Sequence, residues 1–252
     1  MKLLLSAFIF IVMGLDIAVG QVNTIKSALY KWNESKDPER ILLNGSTIHL
    51  DSFEVDILTV KPGQRDLKST TSADTEELII IREGNLAVTV NDKSQVLGPG
   101  SIAFIMPGEK YSYENKGSEQ SIFYKLKFNS KLPVETERGK SNGGSFIIDW
   151  NNVIMKKTEP GGRRDFFNKP TSTCQKFEMH VTTLNEGLPS HAPHTHPEEE
   201  IILLIKGNAT MQVNSKDYVM SPGDFVFAAS GDFHGIRNSG KGQCEYFAFQ
   251  WK

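Results

Sequence analysis

Residues 200–214 read EIILLIKGNATMQVN, and residues 77–91 read ELIIIREGNLAVTVN. Each is an apolar run that reaches a Gly-Asn pair and resumes as a shorter alternating run. That is the pattern of two strands joined by a tight turn. The register between the copies extends well beyond these segments. Glu77 and Glu200, Gly84 and Gly207, Gly100 and Gly223, and Asn115 and Asn238 are all 123 residues apart. Phe53 and Phe177, Glu54 and Glu178, and Gly63 and Gly187 are 124 apart. One residue of difference in the loop after Gly63 accounts for the change. A register held through several elements marks an internal repeat.

Further short runs repeat in the same order. FEVDILTV (53–60), SIAFIMPG (101–108) and SIFYKLKF (121–128) find counterparts in FEMHVTTL (177–184), DFVFAASG (224–231) and CEYFAFQW (244–251). Amphipathic helical periodicity is scarce. The expected fold is all-β, two barrels in tandem, since closing or stacking the sheets removes exposed edges. The expected division is residues 21–135 for the first domain, 136–164 for a polar, Gly-rich connection and 165–252 for the second domain. FIIDWNNVIMK (146–156) is expected to lay a strand or turn against one barrel.

Four of the six histidines fall between 191 and 234. In HAPHTHPEEEIILLIKG (191–207), His194 and His196 are two apart, so an extended backbone points both rings to one face. Glu200 follows at the head of an apolar strand, and His234 arrives after the next hairpin and strand. Three imidazoles and one carboxylate suit a borderline divalent transition metal better than calcium or magnesium.

This pattern resembles the cupin superfamily. His194, His196, Glu200 and Gly207 occupy the places of its first motif, and Gly223, Gly231, His234 and Asn238 those of its second. Ala229 stands where proline is usual. The resemblance covers nearly the whole chain after the leader. It implies tandem double-stranded β-helix (jelly-roll, cupin) barrels, a bicupin with a degenerate first half and a metal-competent second half. It further implies that His194, His196, Glu200 and His234 hold one divalent metal, with Mn, Fe, Ni, Cu and Zn all compatible. In the first copy, Thr71 and Ala73, or Thr70 and Ser72, stand where the paired histidines would be, and Tyr111 matches His234. Only Glu77 is retained, so that barrel is expected to be metal-free. Two-barrel cupins include oxalate-processing enzymes, ring-cleaving dioxygenases and ureidoglycine aminohydrolase. A degenerate first half with a metal-bearing second half is similar to the last of these, although its metal set differs.

Other residues are placed less sharply. His191 belongs to the pocket entrance, where it moves protons, or to an exposed loop. His180 looks into the barrel beside Glu178 and Thr182, or toward solvent. Arg163 and Arg164 meet an anionic substrate or form a polar turn. In the last strand, Tyr246 and Gln250 face the site if Phe247, Phe249 and Trp251 pack outward; Tyr246 then assists proton transfer and Gln250 binds substrate. Glu198 and Glu199 are read as solvated or supporting carboxylates. Ile202, Leu204 and Phe227 are expected to lower the dielectric around the metal.

The 252 residues include 28 basic and 30 acidic side chains, a formal charge of -2, which argues against nucleic acid as partner. A hydrophobic fraction of 38% with 23% charged residues fits a folded soluble chain. Residues 1–20, with Lys2, an apolar stretch and Ala18-Val19-Gly20, read as a signal peptide. Export to a bacterial periplasm or the medium is therefore expected, without a permanent membrane anchor. Cys174 and Cys244, each placed at the beginning of a strand, are either a bridge or two buried thiols. The expected function is a metal-dependent enzyme acting on a small oxygen-rich metabolite, such as a carboxylate or sugar derivative. The alternative is a metal-stabilised module that binds a small molecule or carbohydrate without turnover. A homodimer is compatible with either.

Overall fold

The computed structural model describes residues 23–32 and 37–252. The leader expected at residues 1–20 lies outside the described residues. No helix among the described residues is long and apolar enough to cross a membrane.

The repeat folds as two β-sandwich barrels, each made of one large and one small antiparallel sheet. In the first, strands Ile102–Ile105, Thr75–Glu83, Ser121–Ser130, Leu50–Val60 and Glu39–Gly45 lie side by side. They face a small sheet of Arg65–Thr70, Lys110–Glu114, Leu86–Val90 and Lys93–Leu97. In the second, Phe225–Ala228, Glu199–Lys206, Cys244–Trp251, Phe177–Leu184, Gly161–Lys169 and Lys156–Thr158 face Lys216–Met220, Ala209–Val213 and His234–Asn238.

Both faces of each large sheet are buried, which explains why the strands read as nearly continuous apolar runs. Side chains alternate across a strand. Ile202, Leu204, Tyr246 and Ala248 point into the second barrel, where they pack with Met211 and Ile236. Ile201, Leu203, Phe247, Phe249 and Trp251 point the other way, into a core shared with Phe53, Phe128 and Leu78 of the first barrel. The largest cluster is thus the seam between barrels. At its centre Trp251 lies 5.1 Å from Phe53 and 5.3 Å from Phe128, ring centre to ring centre. Phe227 belongs to this seam and not to the barrel interior expected for it, because it alternates with the inward-facing Val226 and Ala228.

The barrels also exchange strands. Ala28–Tyr30 extends the second barrel's large sheet, with Leu29 opposite Val226, and Phe146–Ile148 extends the first's, with Ile147 opposite Ala103. Two residues repeat across these segments, Ser27 with Ser145 and Trp32 with Trp150. Ser27 Oγ accepts from the Ala229 amide and Ser145 Oγ from the Met106 amide, both at 2.8 Å. Trp150 sits on Gly100, whose φ is +83°, and a Cβ there would come within 2.4 Å of the indole. Trp32 sits on Gly223 in the same way, with 2.7 Å to such a Cβ. Glycine is required at both because the ring takes the space of a side chain. Arg164 lies over the Trp150 ring at 4.7 Å and donates to the Val153 carbonyl. It serves this lock and is not among the residues lining the second barrel's cavity.

A pair of buried glutamates ties the halves together. Glu199 accepts from Thr47 Oγ1 at 2.6 Å, from the Ile48 amide at 2.7 Å and from Trp251 Nε1 at 3.1 Å. Its counterpart Glu76 accepts from Thr171 Oγ1 at 2.7 Å and the Ser172 amide at 2.6 Å. Glu198 is also buried, and it pairs with Lys176 and Lys252, both at 3.3 Å. Neither Glu198 nor Glu199 is solvated, since such carboxylates persist inside only when fully partnered.

Cys174 and Cys244 are free and buried. Cys174 belongs to the seam and Cys244 to the second barrel's interior, so the large sheet separates them. Cys174 also precedes its strand, which begins at Phe177, instead of opening it.

Candidate metal centre

The second barrel brings His194, His196, Glu200 and His234 to one end of its interior. Glu200 heads the same strand face as Ile202 and Leu204. Reciprocal backbone hydrogen bonds of 2.9 Å join His194 to His234 and set their rings 5.0 Å apart, centre to centre. The His196 ring lies 5.1 Å from His194 and 4.8 Å from His234. Its carbonyl accepts from the Gly231 amide at 2.9 Å, where the backbone turns back with φ +82°. One ring nitrogen from each of the three histidines lies within 4.8 Å of the others.

The backbone also selects which nitrogen faces inward. His196 Nδ1 is 3.1 Å from the Glu198 carbonyl and His234 Nδ1 is 2.8 Å from the Asp232 carbonyl. A carbonyl can only accept, so each Nδ1 carries the proton, and in the neutral rings each Nε2 presents a lone pair. Glu200 Oε2 lies 2.9 Å from His234 Nε2 and 3.7 Å from His196 Nε2. His234 Nε2 is buried and has no aligned hydrogen-bond partner. Lone pairs facing one another at this distance require a proton or a cation between them. Two ligand atoms about 2.1 Å from one ion, at a right angle, lie about 3 Å apart, so the donor set fits a metal.

The electrostatics agree. Burial opposes ionisation of Glu200, but the His196 and His234 rings beside it outweigh burial and hold the carboxyl at about 2. His234 is lowered by burial, and the Glu200 carboxylate more than reverses this, so its affinity for a proton is raised. His194 is lowered, first by burial and then by the surrounding imidazoles. Glu200 and the rings beside it thus form a site that gathers positive charge, as a proton on a ring or as a cation.

These four residues line a cavity of about 190 Å³. That is below the roughly 300 Å³ at which drug-sized pockets begin. His180, Tyr246, Gln250 and Arg163 also line it. The last strand therefore turns its aromatic side to the seam and its polar side to the cavity. His180 lies beside Glu178 and Thr182 on the inward face. Tyr246 is only 2% exposed, and burial raises its pKa so far that the phenol stays protonated and donates. His191 lines the mouth and is exposed, with its ring 4.5 Å from His194. Arg163 is not free for an anion: it donates to Asp165 at 2.5 Å and to Glu178 at 2.7 Å. Glu178 was not singled out as a site residue by the sequence, although its two-residue spacing from His180 puts it on the same face.

The first barrel holds a different arrangement. Ser69 pairs with Tyr111 across the small sheet as His194 pairs with His234. Neither expected alignment supplied Ser69, which stands 125 residues before His194, because the strand register shifts between Asp66 and Ser69. At the second position Ser72 is the counterpart of His196, its carbonyl accepting from Gly108 as that of His196 accepts from Gly231. Tyr111 donates to Glu77 at 2.7 Å and is itself buried. The retained carboxylate thus has a neutral partner. Asn115 and Asn238 are structural in both copies: each amide bridges two carbonyls, Val60 and Glu119 in one, Leu184 and Gly242 in the other.

Comparison with known proteins places this geometry in a family. A family described as "Cupin domain" matches residues 56–126 and again 180–249, more than half of the 252 residues. No curated protein gives a significant match. The putative glyoxylate-induced protein from Pseudomonas aeruginosa is 18% identical, with a TM-score of 0.66, covering 86% of this chain and 80% of that one. Protein Ylba from E. coli is 16% identical at a TM-score of 0.67, covering 94% and 96%. Oxalate decarboxylase from Lactobacillus farciminis is 15% identical at 0.60, covering 79% and 76%. At these identities the solved structures establish a shared fold, and the two family matches fall one on each barrel. The chain belongs to the cupins and carries two cupin domains.

Proposed function

We propose that His194, His196, Glu200 and His234 bind one divalent transition metal, and that the protein is an enzyme acting on a small oxygen-rich metabolite, such as a carboxylate or sugar derivative. The observation that carries this reading is the convergence of two Nε2 lone pairs on an ionised, buried Glu200, each fixed by a backbone carbonyl at Nδ1. Mn, Fe, Ni, Cu and Zn all suit the donor set, and any of them supplies Lewis acidity toward a substrate oxygen. The oxalate decarboxylase neighbour is named for action on a small carboxylate, in keeping with this class.

The chain's own residues supply the rest. Tyr246 offers a protonated phenol to a substrate oxygen, and Thr182 stands beside it across the strand pair. His180 in the wall and His191 at the mouth are the imidazoles outside the proposed ligand set, placed to hold or move a proton. The cavity's size excludes large substrates. The first barrel buries the back of the second through the seam and stabilises it. Residues 1–20 carry the reading of export.

Metal-loaded protein incubated with a metabolite extract is expected to consume one small component and form a product of defined mass. Chelation should stop the turnover and one metal restore it. A compound that binds without product formation makes the protein a binding module; turnover that survives complete metal removal refutes the metal-dependent reading.

A further inference from the structure

Three neighbouring strands set Glu178, Gln250 and Glu200 directly opposite one another in a single row on the cavity face. With strands about 4.8 Å apart, the backbones of Glu178 and Glu200 are separated by about 10 Å. The cavity therefore has two ends, one at the proposed metal ligands and one at Glu178. At the Glu178 end the cations are already paired. Arg163 gives one nitrogen to Asp165 at 2.5 Å and another to Glu178 at 2.7 Å. Gln250 Nε2 donates to the other Glu178 oxygen at 3.2 Å. His180 Nδ1 lies 3.3 Å from Glu178 and is buried without an aligned partner. With the His180 ring and the Arg163 guanidinium beside it, Glu178 is held at about 2, so it is an ionised acceptor. A carboxylate has about four acceptor positions, which leaves Glu178 able to accept a hydrogen bond from a ligand hydroxyl. A second carboxylate arriving here would meet Glu178 with the nearby cations already committed, Arg163 to Glu178 and Asp165, and Lys156 to Asp165 at 2.8 Å.

We propose that the Arg163–Glu178–Gln250 wall selects a neutral, hydroxyl-bearing tail, so that the ligand is a short monocarboxylic hydroxy acid whose carboxylate end lies toward His194, His196, Glu200 and His234. This rests on the metal reading above and narrows its substrate class. Glu178 excludes a dicarboxylate by like-charge contact and rewards a hydroxyl donor, a selection made as much by repulsion as by attraction.

Two three-carbon acids differ only at the tail: D-glycerate ends in a hydroxymethyl group and tartronate in a second carboxylate. Calorimetric titration of the Mn²⁺-loaded protein is expected to show glycerate binding at least about tenfold tighter than tartronate, as like-charge exclusion requires. Glu178→Gln removes the negative charge and frees Arg163, so tartronate should gain about tenfold and the preference collapse. Arg163→Gln leaves Glu178 without its cation, while Asp165 keeps Lys156 at 2.8 Å, and should widen the preference. Mn²⁺ stoichiometry is measured first for every variant, which separates the two readings. Failure to bind Mn²⁺ and each of Fe²⁺, Ni²⁺, Cu²⁺ and Zn²⁺ overturns the metal site itself. Normal Mn²⁺ binding with tartronate preferred, with neither acid bound, or with the ratio unmoved in both variants overturns the hydroxy-acid proposal alone.

Discussion

His234→Ala is expected to abolish tight metal binding by the protein. His234 is the most buried of the three histidines, and its Nε2 lies 2.9 Å from Glu200. Mutating residues that merely orient metal ligands costs about 10–100-fold in affinity, so removing a ligand should exceed about 100-fold. The same substitution should erase metal-dependent stabilisation. At 100-fold excess over Kd, a metal stabilises the wild-type fold by about 2.7 kcal/mol, and the variant should show no metal-dependent rise in Tm. His191→Ala is the matched control. His191 stands at the mouth and its Nδ1 contacts only its neighbour's carbonyl, so metal affinity should change little. Metal titration followed by thermal melting checks both. Equal loss in the two variants would mean that the histidines act as a general polar cluster and not as a defined ligand set.

Trp251→Ala is expected to cost about 3–5 kcal/mol, the range for large aromatic residues removed from a core. Trp251 is fully buried and packs against Phe53 and Phe128 of the other barrel as well as Phe177 of its own. Its Nε1 also donates to Glu199, which the substitution leaves short of one partner in a buried position. Because the seam is the largest apolar cluster and the barrels exchange strands, both halves should melt together at the lower temperature. Val219→Ala, at a side chain 62% exposed, should stay within about 0.5 kcal/mol. Denaturant unfolding followed by tryptophan fluorescence and by circular dichroism measures the effect. Two separated transitions in Trp251→Ala, with the first barrel unmoved, would mean that the seam is not a common core.

The repeat and the proposed ligand set were both legible in the sequence, for the same reason. Turn glycines and asparagines are fixed by backbone geometry, and His194, His196, Glu200 and His234 sit at short, regular distances from them. Strand faces were less legible. FVFA (225–228) and CEYFAFQW (244–251) are buried on both sides, so the apolar-polar alternation that identifies an inner face is absent. Phe227 was therefore assigned to the wrong side. In the run Glu198, Glu199, Glu200, the chemistry of each carboxylate depends on what lies across the seam. Glu199 meets Thr47, Ile48 and Trp251, none of which is near it in sequence. The upstream repeat of Ser27 and Trp32 escaped notice because only two residues keep it and the spacing to Ser145 and Trp150 falls to 118. Glu178 gains significance only from its neighbours in space: Gln250 stands opposite it, and Arg163, itself paired with Thr182, reaches it through its side chain.

One barrel, and not both, is proposed to bind a metal. Elemental analysis of the purified protein, after loading with divalent metal and removal of the excess, tests this directly when wild type, His234→Ala and Tyr111→Phe are compared. The expected result is one equivalent per chain in wild type and Tyr111→Phe, and none in His234→Ala. No bound metal in wild type, or two equivalents with one surviving in His234→Ala, would contradict it.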